Sequence, residues 1–301
     1  MKISVIIPTF NRKDELRLTL NSLLKQSFRD FELIVADDGS SDGTNFMVDD
    51  FSSQSWFPVK HCWHENAGRS AARNMGLKKA VGEVVVFIDD HIILDEHFLL
   101  EHKKVYDTDG ITAARGRSVL VNDVLQVVDV ANLEPLIVDK NRIQDPFYTF
   151  ITNNLSVKRS ALLEVNGFDE DFKNYGFQDS ELGYRIKRKG HKFTWVPEAI
   201  GFIFSCGHTL EKSWERARQV GMSAVIFARK HPEGRLLVGV NRMNKWFFVW
   251  ASRNREKRVN SWKHKQNTLS SAGNTKKADK YNYWIKHYYF CKGMFDNQNA
   301  K

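Results

Sequence analysis

The chain has 301 residues, 42% hydrophobic and 27% charged, which is enough to bury a sizeable core and too apolar for disorder to be the default. No stretch approaches the roughly 20 apolar residues of a membrane span, and Lys2-Ile3-Ser4-Val5-Ile6-Ile7 carries no secretory n-region and h-region, so a cytoplasmic location is expected. Cys62, Cys206 and Cys291 are odd in number and far apart, which argues against a disulfide framework or a thiolate zinc site. The net charge of +9 is concentrated in the tail, where thirteen Lys/Arg face three acids between Lys245 and Lys301, leaving the remainder close to neutral.

Ile3 to Ile7 is an apolar strand stopped by Pro8. Asp14 to Lys25 then places Leu16, Leu20, Leu23 and Leu24 on one helical face. Phe31 to Ala36 reads as a second strand ended by Asp37-Asp38-Gly39-Ser40, and a helix start follows at Ser41-Asp42-Gly43-Thr44. A helix spans about Ser70 to Ala80, and Glu83 to Ile88 has the unbroken apolar character of a strand buried on both faces. This alternation predicts a mostly parallel sheet wrapped by helices. Short β-rich runs follow from Ile111 to Val130, then a helix after Asn154, a helix from Leu182 to Lys189 stopped by Gly190, and an extended run from Phe193 to Val196. Beyond Glu211 the chain reads as helical and basic, with tryptophans dispersed among the charges. The expected division is a catalytic domain over residues 1–230 and a basic helical extension over 231–301.

Ligands of an open parallel sheet sit beyond the carboxyl ends of its strands. Four segments fall at such ends or at helix starts: Pro8-Thr9-Phe10-Asn11-Arg12, Asp37-Asp38-Gly39-Ser40, Glu65-Asn66-Ala67-Gly68-Arg69 and Asp89-Asp90-His91. Each alone could simply end a strand. Together, SVIIPTFNR, FELIVADDGSSDGT, ENAGRSAARNMGL and VVVFIDDHIIL resemble the N-terminal half of glycosyltransferase family 2. Further on, NGFDEDF and YGFQDSELGYR resemble a pattern shared with galactosyltransferase-like and chondroitin-polymerase-like domains.

The resemblance implies an α/β GT-A fold and a nucleoside-diphosphate-sugar donor, UDP-linked by preference. It implies that Pro8, Thr9 and Asn11 border the nucleotide, that Asp38 accepts from the imide N–H of the base, and that Arg69 approaches the base or phosphates. Asp89, Asp90 and His91 stand at the family's DxD-like position, here closer to a DxH arrangement. Asp89 and His91 are therefore metal-ligand candidates, Asp90 is an alternative first ligand, and His208 is a possible addition to the same site. Residues two apart on extended chain point to one side, and an imidazole donor moves the preference from Mg²⁺ toward Mn²⁺. The family's general base falls on Asp179. Gln178 stands where the family has Glu, and Gln178 and Glu181 are expected to bind the acceptor, a glycan or other hydroxyl compound. Asp179 could also serve as a helix N-cap, and Glu181 could form a surface pair with Arg185. A carboxylate base without a second nucleophile predicts an inverting transferase. A sugar-1-phosphate nucleotidyltransferase lacks support in the loop after the first strand, and a non-catalytic nucleotide-sugar or glycan-binding protein stays open. The basic tail fits solvated surface or an anionic membrane; nucleic acid is the least supported partner, and the oligomeric state is not legible.

Overall fold

The computed structural model describes residues 1–121, 140–204, 209–252 and 257–299. They form two compact units: Met1–Lys173 with Gln178–Cys206, and Asn174–Phe177 with Gly207–Lys301.

In the first unit the strands are β1 (Ile3–Thr9), β2 (Phe31–Asp37), β3 (Val59–Trp63), β4 (Val84–Ile88), β5 (Ile92–Leu94), β6 (Ile111–Val121), β7 (Asn154–Lys158) and β8 (Lys192–Phe204). They pair in the order β3-β2-β1-β4-β7-β6-β8-β5. β3, β2, β1 and β4 run parallel, β7 enters antiparallel between β4 and β6, and β6 and β8 are parallel. The helices are α1 (Lys13–Leu23), α2 (Thr44–Gln54), α3 (Arg69–Lys79), α4 (Phe98–Lys104), α5 (Pro146–Thr149), α6 (Arg159–Glu164) and α7 (Gln178–Arg188).

Alternation along each strand sorts its side chains into two cores. Ile3, Val5, Ile7, Leu33, Val35, Val84 and Val86 pack with Leu16, Leu20 and Leu23 of α1 and with Phe98 of α4. Ile6, Ile34, Val85 and Phe87 pack on the other face with Ala72 and Leu77 of α3 and Leu182 and Ile186 of α7. Strands apolar on every residue are what a sheet covered on both faces requires.

Two sequence expectations change, and one strand, β3, had none. β1 continues through Pro8 to Thr9, because pairing with β4 ends at Ile6 and the missing proline N–H is not needed there. Residues 154–158 are a strand and the helix begins only at Arg159. Leu155 and Val157 enter one core while Asn154 and Ser156 turn to the opposite face, where buried His102 of α4 lies 2.8 Å from Asn154 Oδ1 and 2.9 Å from Ser156 Oγ. β3, whose residues are only partly buried, carried no readable pattern.

The second unit contains α8 (Leu210–Lys230), α9 (Arg242–Ser252), α10 (Lys257–Ser271) and α11 (Thr275–Asn299). The tail's aromatic residues build its interior, with Phe247, Tyr288 and Met294 buried and Trp250, Trp262 and Trp284 packed against them. α8 and α11 touch along Gly221 and Gly293, where a Cβ would lie 1.9 Å from Phe290 O and 1.8 Å from Arg218 O. Among the described residues no helix is long and apolar enough to cross a membrane.

Burial holds the His102 pKa down at about 4, from an ordinary 6.5, although the Asn154 hydrogen bond works in the other direction. Its neutral form is the native one, so stability is complete above pH 6.5 and declines as pH falls toward 4. That loss amounts to roughly 3 kcal/mol. In His102→Gln, urea unfolding across this window should show a correspondingly shallower dependence on pH than in the wild type; an unchanged slope would contradict the buried neutral imidazole.

Candidate active site

The sheet order reverses at β1, which has β2 on one side and β4 on the other. Helices leave to opposite faces at such a point and open a crevice at the carboxyl ends of the strands. Thr9 ends β1, Asp37 ends β2 and Asp89 follows β4. β7 runs the other way, with Asn154 opposite Ile88, so the residues just before it share the same rim.

The loops at the rim are stitched by the residues that the sequence marks for the donor. Asp38 is buried and accepts from the backbone N–H of Ala67 at 2.9 Å and of Gly68 at 3.1 Å, which fixes the start of α3. Gly39, at φ +91°, lets the chain pass so close that a Cβ would stand 2.8 Å from Asn66 N. Asn11, at φ +50°, donates its N–H to Ser40 Oγ and accepts from Ser41 N–H at 2.8 Å. Asp37 receives Ser40 N–H at 2.8 Å and lies 3.1 Å from His61 Nε2. Burial alone would raise its pKa, but these hydrogen bonds hold the carboxyl below its ordinary range. Pro8 is partly buried at the end of β1, and Arg69 is exposed at the first position of α3.

Asp89, Asp90 and His91 divide by environment. The Asp90 side chain is 8% exposed against 31% for Asp89. Asp90 accepts from Thr9 Oγ at 3.0 Å and from Arg12 Nη1 at 3.0 Å. Burial acts to raise its pKa, but the His91 and Arg12 contacts keep it low. His91 Nδ1 lies 3.0 Å from both Asp90 Oδ1 and Arg12 Nη1. A single ring nitrogen cannot donate to one and accept from the other. We assign the proton to Nδ1, because a charge-assisted bond to the carboxylate is the stronger of the two. That tautomer leaves Nε2 to carry the lone pair, the arrangement by which a carboxylate orients a metal-binding imidazole.

Asp179 lies at the start of α7. Its Oδ2 accepts from Thr152 N–H at 3.1 Å and Thr152 Oγ at 2.8 Å. Between Asp179 and Asp89 sits Arg73, a residue the sequence reading did not single out. The Arg73 side chain is 6% exposed, with Nη2 at 3.5 Å from Asp89 Oδ1 and Nη1 at 3.6 Å from Asp179 Oδ1. Its guanidinium stands 5.5 Å from the centre of the Phe168 ring. The readable signal was spacing, since Arg73 is one helical turn beyond Arg69. The next residue, Asn74, accepts from Phe168 N–H and donates to Phe168 O, both at 2.8 Å, fastening the 166–170 loop to the same helix.

Glu181 is not gathered into this group. It is buried and forms a two-pronged pair with Arg185 at 2.8 Å on each oxygen; Arg185 in turn donates to the carbonyls of Val165 and Gly167. Gln178 is also buried, with Nε2 at 3.4 Å from Phe172 O. His208 lies outside the described residues. Among those described, no three His, Cys, Asp or Glu side chains converge as a complete metal cage. Asp89, with its side chain 31% exposed, and His91, through Nε2, are the donors at this rim that would hold a divalent ion.

The sheet order and rim are those of the GT-A architecture, and solved structures agree. Across the whole chain, the TM-score is 0.67 at 17% identity to the mannosyltransferase PcManGT of Pyrobaculum calidifontis in complex with GDP-Man and Mn²⁺, covering 88% of that chain. It is 0.57 at 16% identity to residues 1–349 of S. aureus TarS in complex with UDP-GlcNAc, covering 93% of that chain. Residues 4–158 match the model of glycosyl transferase family 2, and residues 135–209 that of the N-terminal domain of galactosyltransferase. The chain belongs to glycosyl transferase family 2. Among curated proteins it is 29% identical over 267 residues to validoxylamine A glucosyltransferase of Streptomyces hygroscopicus subsp. jinggangensis, covering 76% of this chain and 61% of that protein. It is 26% identical over 236 residues to the chondroitin synthase of Escherichia coli, covering 66% of this chain and 34% of that protein. The chain thus spans about three fifths of the length of the first curated relatives it matches.

The Glu181–Arg185 pair makes a clear prediction. Glu181→Gln takes the counter-charge from the partly buried Arg185 guanidinium and should cost about 2 kcal/mol in urea unfolding, the range for losing hydrogen bonds to a charged group. A loss of only a few tenths of a kcal/mol, as for an exposed helix pair, would contradict this placement.

Proposed function

We propose that the chain transfers a sugar from a nucleoside-diphosphate donor, UDP-linked by preference, to a hydroxyl of a glycan or similar acceptor, with inversion at the anomeric carbon. The observation that carries the reading is the buried guanidinium of Arg73, set between the carboxylates of Asp89 and Asp179.

In this reading the nucleotide base meets Asp38, whose Oδ2 retains capacity for an imide N–H after Gly68. Thr9 and Asn11 shape that pocket by holding its loops. Asp89 and His91 hold a divalent ion, Mn²⁺ in preference to Mg²⁺ for its greater tolerance of nitrogen ligands. When bound, such an ion supplies positive charge to the departing diphosphate. Asp90 is not a ligand here; it fixes the His91 tautomer and anchors Arg12 and Thr9.

Thr152 pins Asp179 Oδ2, so Oδ1 is the oxygen to receive the acceptor proton. As that proton moves to Asp179, the acceptor oxygen bonds to the anomeric carbon. The bond to the diphosphate oxygen breaks with its electron pair leaving on the diphosphate. Arg73 keeps the two carboxylates from repelling each other across the crevice and holds Asp179 in place.

The test is kinetic. Asp179→Asn should lower kcat by about 10²–10⁴, the range of a general base, while donor binding followed by thermal shift is retained. Asp89→Asn should instead abolish the Mn²⁺-dependent part of the donor-induced shift. Wild-type turnover in Asp179→Asn, or a product of retained configuration by NMR, would overturn the reading.

A further inference from the structure

The second unit shows an apolar face turned away from its core. On α9 the side chains of Asn244, Phe247 and Ala251 are buried, as a helix packed on one side requires. Arg242, Met243, Lys245, Trp246 and Val249 are all exposed, and their spacing places them on the opposite face. Met243 is 71% and Trp246 65% exposed. Immediately before α9, Leu236 and Leu237 are exposed to similar degrees.

This exposure is built into the backbone. Leu237 N–H donates to Gly234 O at 3.0 Å, Val240 N–H to Arg235 O at 3.0 Å, and Gly239 N–H to Leu236 O at 3.2 Å. Asn241 Oδ1 accepts from Asn244 N–H at 2.9 Å at the start of α9, and Asn244 donates to Gly239 O at 2.7 Å. A wound and capped segment therefore holds two leucines, a methionine, a tryptophan and a valine outward, with the Trp246 ring stacked on Trp250 at 6.3 Å between centroids.

From Arg235 to Ser252 there are three cations, Arg235, Arg242 and Lys245, and no acidic residue. All three are exposed. Exposed apolar side chains interspersed with cations over residues 235–252, with an indole among them, match an interface whose outer layer is anionic and whose inner layer is hydrocarbon. The geometry points to an anionic lipid surface as the partner of this face, with Leu236, Leu237, Met243 and Trp246 entering the acyl boundary and the cations at headgroup level. A second protein surface would suit the apolar residues but gives no account of the one-signed charge around them. The inference does not depend on the transferase reading.

Co-sedimentation of the 301-residue protein with vesicles tests it, using phosphatidylcholine alone and phosphatidylcholine mixed with phosphatidylglycerol. Binding should favour the anionic vesicles and weaken with added salt. Arg242→Gln with Lys245→Gln should reduce anionic binding more than tenfold, at about fivefold per cation. Leu237→Ser with Met243→Ser should reduce it at least as much while leaving the thermal midpoint unchanged, since these side chains lie outside the core. Three results would each overturn the proposal: no preference for anionic vesicles, undiminished binding by the serine variant, or conversion of a dimer into a monomer by that variant in sedimentation velocity, which would mean that a second copy covers the face. A lowered thermal midpoint would overturn it too, by showing that the residues are packed.

Discussion

One guanidinium organises the rim of the sheet. Asp89 follows β4, and Asp179 begins a helix about ninety residues later in the chain. Two carboxylates facing one crevice repel each other, and a partly dry crevice strengthens the repulsion. Arg73, carried on α3 and almost fully buried, answers both at about 3.5 Å. Arg12 does the same for Asp90 on the other side of the strand end. Each cation reaches its carboxylate because β1, β4 and α3 meet where the strand order reverses, so the charge balance of the rim is a consequence of topology.

The remaining polar residues of the rim are spent on each other. Thr9 and Arg12 converge on Asp90, Asn11 binds the loop after β2, Asp38 secures the start of α3, and Asn74 secures the 166–170 loop. Such a rim is shaped before any ligand arrives, and fixed dipoles of this kind cost no reorganisation when charge develops. A separate polar cluster, His102 with Asn154 and Ser156, locks α4 to the antiparallel strand that brings Thr152 beneath Asp179.

Much of this was legible in the chain. Period-two and period-3.6 patterns located β1, β2, β4, α1 and α3, because those elements bury apolar residues in quantity. Asn154-Leu155-Ser156-Val157 does alternate with period two, but the run is short, and its polar positions, which read as facing solvent, are buried against a histidine more than fifty residues away. The positions of Asp38, Asp89 and His91 beyond strand ends and of Asp179 at a helix start were legible. Arg73 was not, because its role depends on two partners from different segments. For Glu181 the sequence offered both an acceptor contact and a pair with Arg185; the structure shows the pair, with the carboxylate buried and not exposed on the helix surface. In the basic tail, charge was visible but the sorting of tryptophans into core and surface was not, because that depends on which helix faces meet.

The central claim is that Asp89 and His91 serve one ion at the donor end while Asp179 waits across Arg73 at the acceptor end. Anomalous scattering from manganese in crystals grown with UDP and Mn²⁺ examines it directly. The account predicts one strong peak in coordination contact with a carboxylate oxygen of Asp89, with His91 Nε2 and with diphosphate oxygens, and none against Asp90 or Asp179. A peak bound by Asp179, or UDP seated away from Asp38, would contradict it.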